Sequence, residues 1–589
     1  MRSLFTRKFL NLSRSYSVNK TFQEIPGPKP LPLIGNALLF SPLGPYKVSR
    51  LLDGFADLQK QYGDIIKLNM GNKISLLIFN PDDIRSMFQY EGKYPQRPTF
   101  EALKDYRKKK YQCVGVVPDN GEEWHRMRQN VQILLKLKTV HSYWSRQQAV
   151  AQEFSAGLLS KMNSDGILED FLQYAFQYSL EAIGVVCYGK RLNCFSNNSE
   201  DYRVNKAIVQ ANVKFLKALG ETFHQPPWWK LWRTKAYKII ESTQDFMMGT
   251  AVKYLQEARQ KLIENPDRFL EEDPILYHLL ENRNLSETEK NLLVTEIFQG
   301  GIDATGTVIT MMLYELARNP SIQTSIYEDL MKNKMRPGHI SPLLRACLKE
   351  TLRLHPTAGG TSRIIDSDAV LSGYHVPKGT LVIGVNPVIS KMGRHFSDPL
   401  TFDPWRFLKK TETAHPYTSL PFGHGARMCP GRRFAEQEIL LCVAEVILKY
   451  EVLSVSSKDI FMFLEMNLVP SEPIDFKLIL ICPIKFLVVP THLFMTNKKG
   501  FPVLPKSHQV AIRQFLFQET QILIIGAQRH QHYKHYQQYM EHMWQVGYES
   551  DPVMQFAQGY EDFLQFPLHN NLEAQTYEVF EKDPVKYTE

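Results

Sequence analysis

Ten residues, Phe422-Gly423-His424-Gly425-Ala426-Arg427-Met428-Cys429-Pro430-Gly431, place one thiol on a glycine-rich turn just ahead of a helix-like stretch, Arg432 to Tyr450. The thiolate, not the thiol, ligates metal, and a helix N-terminus with arginine nearby lowers a cysteine pKa. Gly423, Gly425 and Gly431 can take backbone conformations closed to other residues, and they let the chain lie close to a flat ligand. Ligation of a metal by a single sulfur is the chemistry this turn could do. The other cysteines, Cys113, Cys187, Cys194, Cys347, Cys442 and Cys482, form no close metal-type pair and no disulfide framework, which fits a reducing interior.

Three further segments carry polar groups at helical spacing. Asn291 to Arg318 reads as one long apolar helix that holds Gly300, Gly301 and Gly306 near its middle. Each glycine costs about 1 kcal/mol relative to alanine, so a bulge or the close approach of another group is expected there. Asp303 is the acid that falls among these glycines, with Ala304 and Thr305 beside it. Adjacent helical residues point about 100° apart, so Thr305 does not share the direction of Ala304. Glu350 and Arg353 lie three apart on one helix face, and Trp124 and Arg128 lie four apart on another.

Around these segments the chain is long, 589 residues with 43% hydrophobic and 12% aromatic content. That suffices for a large core and an apolar pocket. A net charge of +9 suits an acidic protein partner or a membrane surface as well as nucleic acid. Residues 119–320 are mostly helical in pattern, while 62–80 and 370–390 hold short strand-like runs, so the chain reads as mainly α with a small β-domain. Residues 1–24 are basic and serine-containing, with no acid before Glu24. This is the composition of a mitochondrial transit peptide, and no apolar run long enough for a membrane anchor follows it. Pro226 to Lys235 packs Trp228, Trp229 and Trp232 among cations, as in a membrane-surface contact.

The Phe-Gly-x-Gly-x-Arg-x-Cys-x-Gly turn resembles the haem-binding loop of the cytochromes P-450, the haem-thiolate monooxygenases, and the resemblance extends over about 25–481. It implies the P-450 fold, haem b (iron protoporphyrin IX) as cofactor, and Cys429 as axial ligand of its iron, donating electron density to favour O–O cleavage. Phe422 and Gly423 would flank the haem, and Trp124, Arg128, Arg363 and Arg427 match positions that hold its propionates. Glu350 and Arg353, with Arg406 of the Phe402-Asp403-Pro404-Trp405-Arg406 segment, match a structural cluster behind it. Asp303 and Thr305 fall in the distal helix that relays protons, but the usual relay alcohol falls on Ala304. Either a substrate hydroxyl or water completes the relay, or turnover leaks peroxide. Phe298, Gln299 and residues 357–362 are expected to line the pocket. Arg345, Lys349, Arg432 and Arg433 match the positions by which the mitochondrial group recognises an adrenodoxin-like ferredoxin, fed by its NADPH-dependent reductase. Segments such as Tyr90 to Tyr106 resemble the ecdysteroid hydroxylases. The resemblance therefore implies hydroxylation of a steroid on the matrix side of the inner mitochondrial membrane, with a peripheral membrane contact and no nucleic acid. The alternatives are a xenobiotic-oxidising mitochondrial enzyme or a haem protein of impaired turnover.

Residues 482–589 resemble a different protein. Pro483 to Leu504, Gly559 to Gln565 and Asn571 to Tyr587 are similar to the type II protein arginine methyltransferase, over a piece preceding its cofactor domain. The resemblance implies an appended, non-catalytic α/β fragment, from a fused gene model or read-through transcript.

Overall fold

The structure, a computed structural model, describes residues 20–481 apart from 42, 71–72, 197–198 and 410–413, together with 495–496 and 502–503. The transit-peptide expectation for residues 1–19, and nearly all of the methyltransferase-like segment, lie outside the described residues. The chain divides into two units, Met1–Leu480 and Ile481–Glu589. In the second, Met495–Thr496 pairs antiparallel with Pro502–Val503.

Eight helices position the site: α1 (Glu101–Tyr111), α2 (Gly121–Gln129), α3 (Phe171–Tyr188), α4 (Ser199–His224), α5 (Lys235–Glu264), α6 (Glu287–Arg318), α7 (Pro342–Leu354) and α8 (Arg432–Lys449). The start of α6 is fixed by a capping box. Ser286 Oγ accepts from the Glu289 amide at 3.3 Å, and Glu289 Oε2 accepts from the Ser286 amide at 2.7 Å. Downstream, nearly every residue from Ile302 to Ala317 is buried, because α6 runs through the centre with α3 against it. Two of its glycines explain that approach. A Cβ at Gly301 would lie 2.6 Å from Ile183 Cγ1, and one at Gly306 would lie 2.6 Å from Phe176 Cδ1. Helix–helix contact, not a bulge, is what these glycines serve.

The β-rich part begins with β1 (Ile65–Met70) and β2 (Lys73–Ile78), then β3 (Ile167–Leu168), β4 (Thr361–Ile364) and β5 (Leu381–Gly384). They are followed by β6 (Tyr450–Ser454), β7 (Met462–Leu464), β8 (Leu468–Pro470) and β9 (Phe476–Leu480). One sheet has the order β1-β2-β5-β4, with β2 and β5 parallel and Ser75 opposite Leu381. Its buried Ile66, Leu76, Leu77, Phe79 and Val382 form one core cluster. A second joins α1, α4 and α5 through Leu103, Phe215, Leu219 and Ile240. A three-stranded sheet, β3-β9-β6, shows that the first unit extends through Leu480.

Residues 20–24, grouped by composition with the leader, are docked on this unit. The His375 amide donates to the Lys20 carbonyl at 3.0 Å, and Lys67 Nζ donates to the Phe22 and Gln23 carbonyls at 3.0 and 2.9 Å. Cleavage after residue 24 would remove these contacts.

Candidate active site

The Cys429 turn is closed by its own amide, which donates to the Phe422 carbonyl at 2.9 Å. Gly423 and Gly425 have φ of 69° and 71°, where a side chain would be strained. Gly431 has φ of −84°, so the conformational reason expected for it does not apply. A Cβ there would sit 3.9 Å from Cys429 Sγ, in ordinary contact. No side chain caps the start of α8, which leaves the Gly431 and Arg432 amides to the sulfur. Burial nevertheless pushes the Cys429 thiol pKa up; those amides and the Arg128 and Arg432 guanidiniums offset only part of it. The lowered pKa expected from the helix terminus is thereby corrected: desolvation outweighs the local dipoles. Cys429 is half-buried.

Four guanidiniums gather beside this turn. Arg128 of α2 donates to the Met428 carbonyl at 2.7 Å. Arg363 of β4 donates to the His424 carbonyl at 3.0 Å and pairs with Glu91. Arg427 donates to the Pro95 and Asp119 carbonyls at 2.8 and 2.9 Å and lies 3.7 Å from the centroid of the Trp124 ring. The fourth, Arg97, donates to the Val117 carbonyl at 2.9 Å. Burial, then repulsion from Arg363 and Arg128, pushes Arg97 down to about 10. Burial, then repulsion from Arg97, Arg363 and Arg128, pushes Arg427 down to about 8. Among the described residues only Arg363 of the four holds a carboxylate partner. Such a cluster is short of negative charge. Sequence reasoning missed Arg97, whose one signal is the rigid Pro95-Gln96-Arg97-Pro98 frame.

Glu350, Arg353 and Arg406 are brought together as the sequence suggests. Arg353 Nε and Nη2 each donate to Glu350 at 2.7 Å, and Arg406 Nε donates to it at 3.1 Å. The Asp403 amide adds a bond at 3.0 Å. The remaining Arg353 donors reach the Ser390, Pro399 and Thr401 carbonyls.

On α6, Asp303 is buried and accepts from Asn467 Nδ2 at 2.8 Å. Burial raises its pKa, and the Asn467 bond partly offsets that. Thr305 is buried, whereas Ala304 and Gly300, one turn apart, keep accessible surface. A Cβ at Gly300 would meet nothing within 4 Å. The two pocket residues expected on α6 behave otherwise. Phe298 packs its ring on Tyr188 at 4.9 Å, in the helical core, and Gln299 accepts from Gln244 at 3.1 Å. Residues 357–360 are partly accessible.

The four surface cations fall into two sets. Arg345 and Lys349 are exposed on one face of α7. Arg432 is exposed but paired with Glu436 at 2.9 Å, and Arg433 is tied to the Leu135 carbonyl. In the 226–235 segment, Trp228 and Trp232 are exposed and stacked at 5.6 Å, with Leu231 73% exposed between them. Trp229 instead stacks on Tyr237. Among the described residues no helix is long and apolar enough to cross a membrane.

A glycine-framed cysteine beside four arginines, three of them without an ion-pair partner among the described residues, defines a site suited to a thiolate-ligated cofactor bearing negative charge. The comparisons agree: the family model for cytochrome P450 matches residues 25–478, and the chain belongs to that family. It is 33% identical to "Probable cytochrome P450 49a1" of Drosophila melanogaster over 78% of this chain and 83% of the relative. It is 30% identical to "Cytochrome P450 302a1, mitochondrial" of the same organism, over 76% and 93%. It is also 30% identical to "Cholesterol side-chain cleavage enzyme, mitochondrial" of Capra hircus, over 70% and 82%. The PRMT5 TIM barrel domain model matches residues 460–546 and the PRMT5 arginine-N-methyltransferase model matches 551–589. The first of these overlaps β7 to β9, which are built into the first unit.

Cytochromes P450 bind haem and are monooxygenases, that is, oxidoreductases. The residues here fit haem. The Cys429 thiol on its glycine-framed turn suits its iron, and the four guanidiniums, with one carboxylate partner among them, suit its two carboxylates.

Proposed function

We propose that this chain hydroxylates a steroid, an ecdysteroid precursor, in the mitochondrion on the matrix side of the inner membrane. The observation that carries the site assignment is the cluster of Arg97, Arg128, Arg363 and Arg427 beside Cys429. When bound, haem supplies the oxidising chemistry, and the protein supplies orientation, proton delivery and exclusion of water. Cys429 would hold the iron and the four arginines the two propionates. Glu350, Arg353 and Arg406 would keep the loop behind the haem in place. Asp303 would hold a proton over the distal face, where Ala304 and Gly300 leave room for substrate. One relative, the mitochondrial cholesterol side-chain cleavage enzyme, supports a sterol-like substrate and a mitochondrial address.

Arg345 and Lys349 present two cations one turn apart, suited to an acidic ferredoxin served by an NADPH-dependent reductase. Arg432 and Arg433 contribute less to that surface, being engaged within the chain. Trp228, Leu231 and Trp232 suit shallow insertion into lipid. Ala304 favours a second reading, a haem protein of slow turnover. We assign residues 482–589 no part in the oxidation.

The test is product analysis by mass spectrometry with the full chain, ferredoxin, reductase, NADPH and a panel of ecdysteroid precursors. One precursor should gain a single oxygen, and Cys429→Ser should abolish both this and the thiolate-type carbonyl spectrum. A normal carbonyl spectrum with no oxidised steroid would sink the substrate assignment and leave the haem assignment standing.

A further inference from the structure

Asp303 has a partner that no spacing along the chain announces. Asn467 lies in the turn between β7 and β8, 164 residues away, and its Nδ2 reaches Asp303 Oδ2 at 2.8 Å. The turn is closed by a bond within itself and flanked by backbone on two sides. The Leu468 amide donates to the Thr357 carbonyl at 2.8 Å, and the Glu465 amide to the Asn467 carbonyl at 3.0 Å. On α4, a Cβ at Gly220 would lie 2.8 Å from the Glu465 carbonyl oxygen, so that glycine admits the turn. Its reach is fixed by backbone on both flanks, not by an adaptable side chain.

Asp303 lies among apolar neighbours on α6 and next to a residue without a hydroxyl. A carboxylate there has four lone-pair directions to satisfy, and one amide donor fills one of them. The bond to Oδ2 leaves the lone pairs of Oδ1 for other donors, and the helix keeps accessible surface next to Asp303 at Ala304 and one turn before that at Gly300. Asn467 itself keeps a second N–H and a carbonyl oxygen, so it can pass on a hydrogen bond as a hydroxyl at position 304 would.

We propose that Asn467 is a positioning residue for Asp303: with no hydroxyl at position 304, its amide orients the Asp303 carboxyl by hydrogen bonding, without itself carrying a proton, so that the β7–β8 turn sets the direction in which Asp303 delivers protons. The proposal rests on the monooxygenase reading of the site. It also ties proton delivery to the 357–360 segment, which the same turn holds through Thr357.

The test uses the haem-loaded full chain with ferredoxin, reductase and NADPH, and cholesterol as the probe sterol. Asn467→Leu should raise hydrogen peroxide released per NADPH by about tenfold, the scale of a ~1.4 kcal/mol change in one step. Ala304→Thr in the same chain should restore the parent ratio. Isotope-edited infrared spectra of the carbon monoxide complex should show the Asp303 carboxyl band shifted in Asn467→Leu, a change that loss of packing alone would not reverse on adding Ala304→Thr. An unchanged peroxide ratio and carboxyl band, with the thiolate-type carbonyl spectrum intact, would overturn the proposal. If Asn467→Leu prevents haem binding, Asn467→Ser, which shortens the donor without adding apolar bulk, carries the same comparison. A parent protein lacking the thiolate-type carbonyl spectrum would overturn the monooxygenase reading itself, whatever position 467 does.

Discussion

Glu350 and Asp303 are both buried carboxylates, and they are provided for in opposite ways. Glu350 receives two guanidiniums and a backbone amide, and Arg353 has its remaining donors on three carbonyls. Asp303 receives one neutral amide from a distant turn, and burial raises its pKa. A saturated ion cluster is costly to disturb, whereas a buried carboxyl with one neutral donor depends on a single contact. The contrast separates a carboxylate fixed from several directions from one fixed by a single side chain.

The largest expected effect breaks the saturated side. Arg353→Ala leaves the Glu350 carboxylate beside Arg406 alone and should destabilise the fold by about 3–5 kcal/mol. Chemical denaturation should show this, together with a loss of haem-loaded protein on expression. Arg97→Leu should weaken haem retention by about 1.5–3 kcal/mol, one charge-assisted bond to a carboxylate, measured as faster haem transfer to an acceptor globin. Gly306→Ala tests the packing of α3 on α6, because its Cβ would meet Phe176. It should cost about 1–3 kcal/mol in thermal stability.

The smallest effect sharpens the other side. Folding raises the Asp303 pKa, so the native state binds more protons than the unfolded chain between the two pKa values. The burial penalty is absent below the unfolded value near 3.8 and enters as pH rises through the folded one. Asp303→Asn removes it. The variant should gain a few degrees in Tm at neutral pH and lose the advantage toward pH 4; an equal gain at both would refute the assignment.

What could be read from the sequence follows the range of the interactions. The Cys429 turn, the Glu350–Arg353 pair and the Trp124–Arg128 element are local, so spacing alone places them. Arg406 was reachable because its own segment has a recognisable form. Asn467 and Arg97 were not, since each acts across long stretches of chain from irregular backbone that has no periodicity. For the glycines of α6 the sequence allows a bulge or the close approach of another group; which group approaches lies beyond it, because Ile183 and Phe176 belong to a helix more than a hundred residues upstream. The direction of the Cys429 shift was misjudged because desolvation depends on everything packed around the sulfur. The mainly helical fold with a small β-part was legible from pattern, and its sheet order was not.

The parallel pairing of β2 with β5 joins Ser75 to Leu381. The strand that completes this sheet therefore leaves the ribosome about 300 residues after the hairpin it covers, a delay of roughly 15–60 s at ~5–20 residues per second. Until then β2 presents an open edge of unpaired amides and carbonyls. For that interval the nascent hairpin is the segment with most to gain from a chaperone, and the wait ends shortly before the thiol meant for iron is itself synthesised.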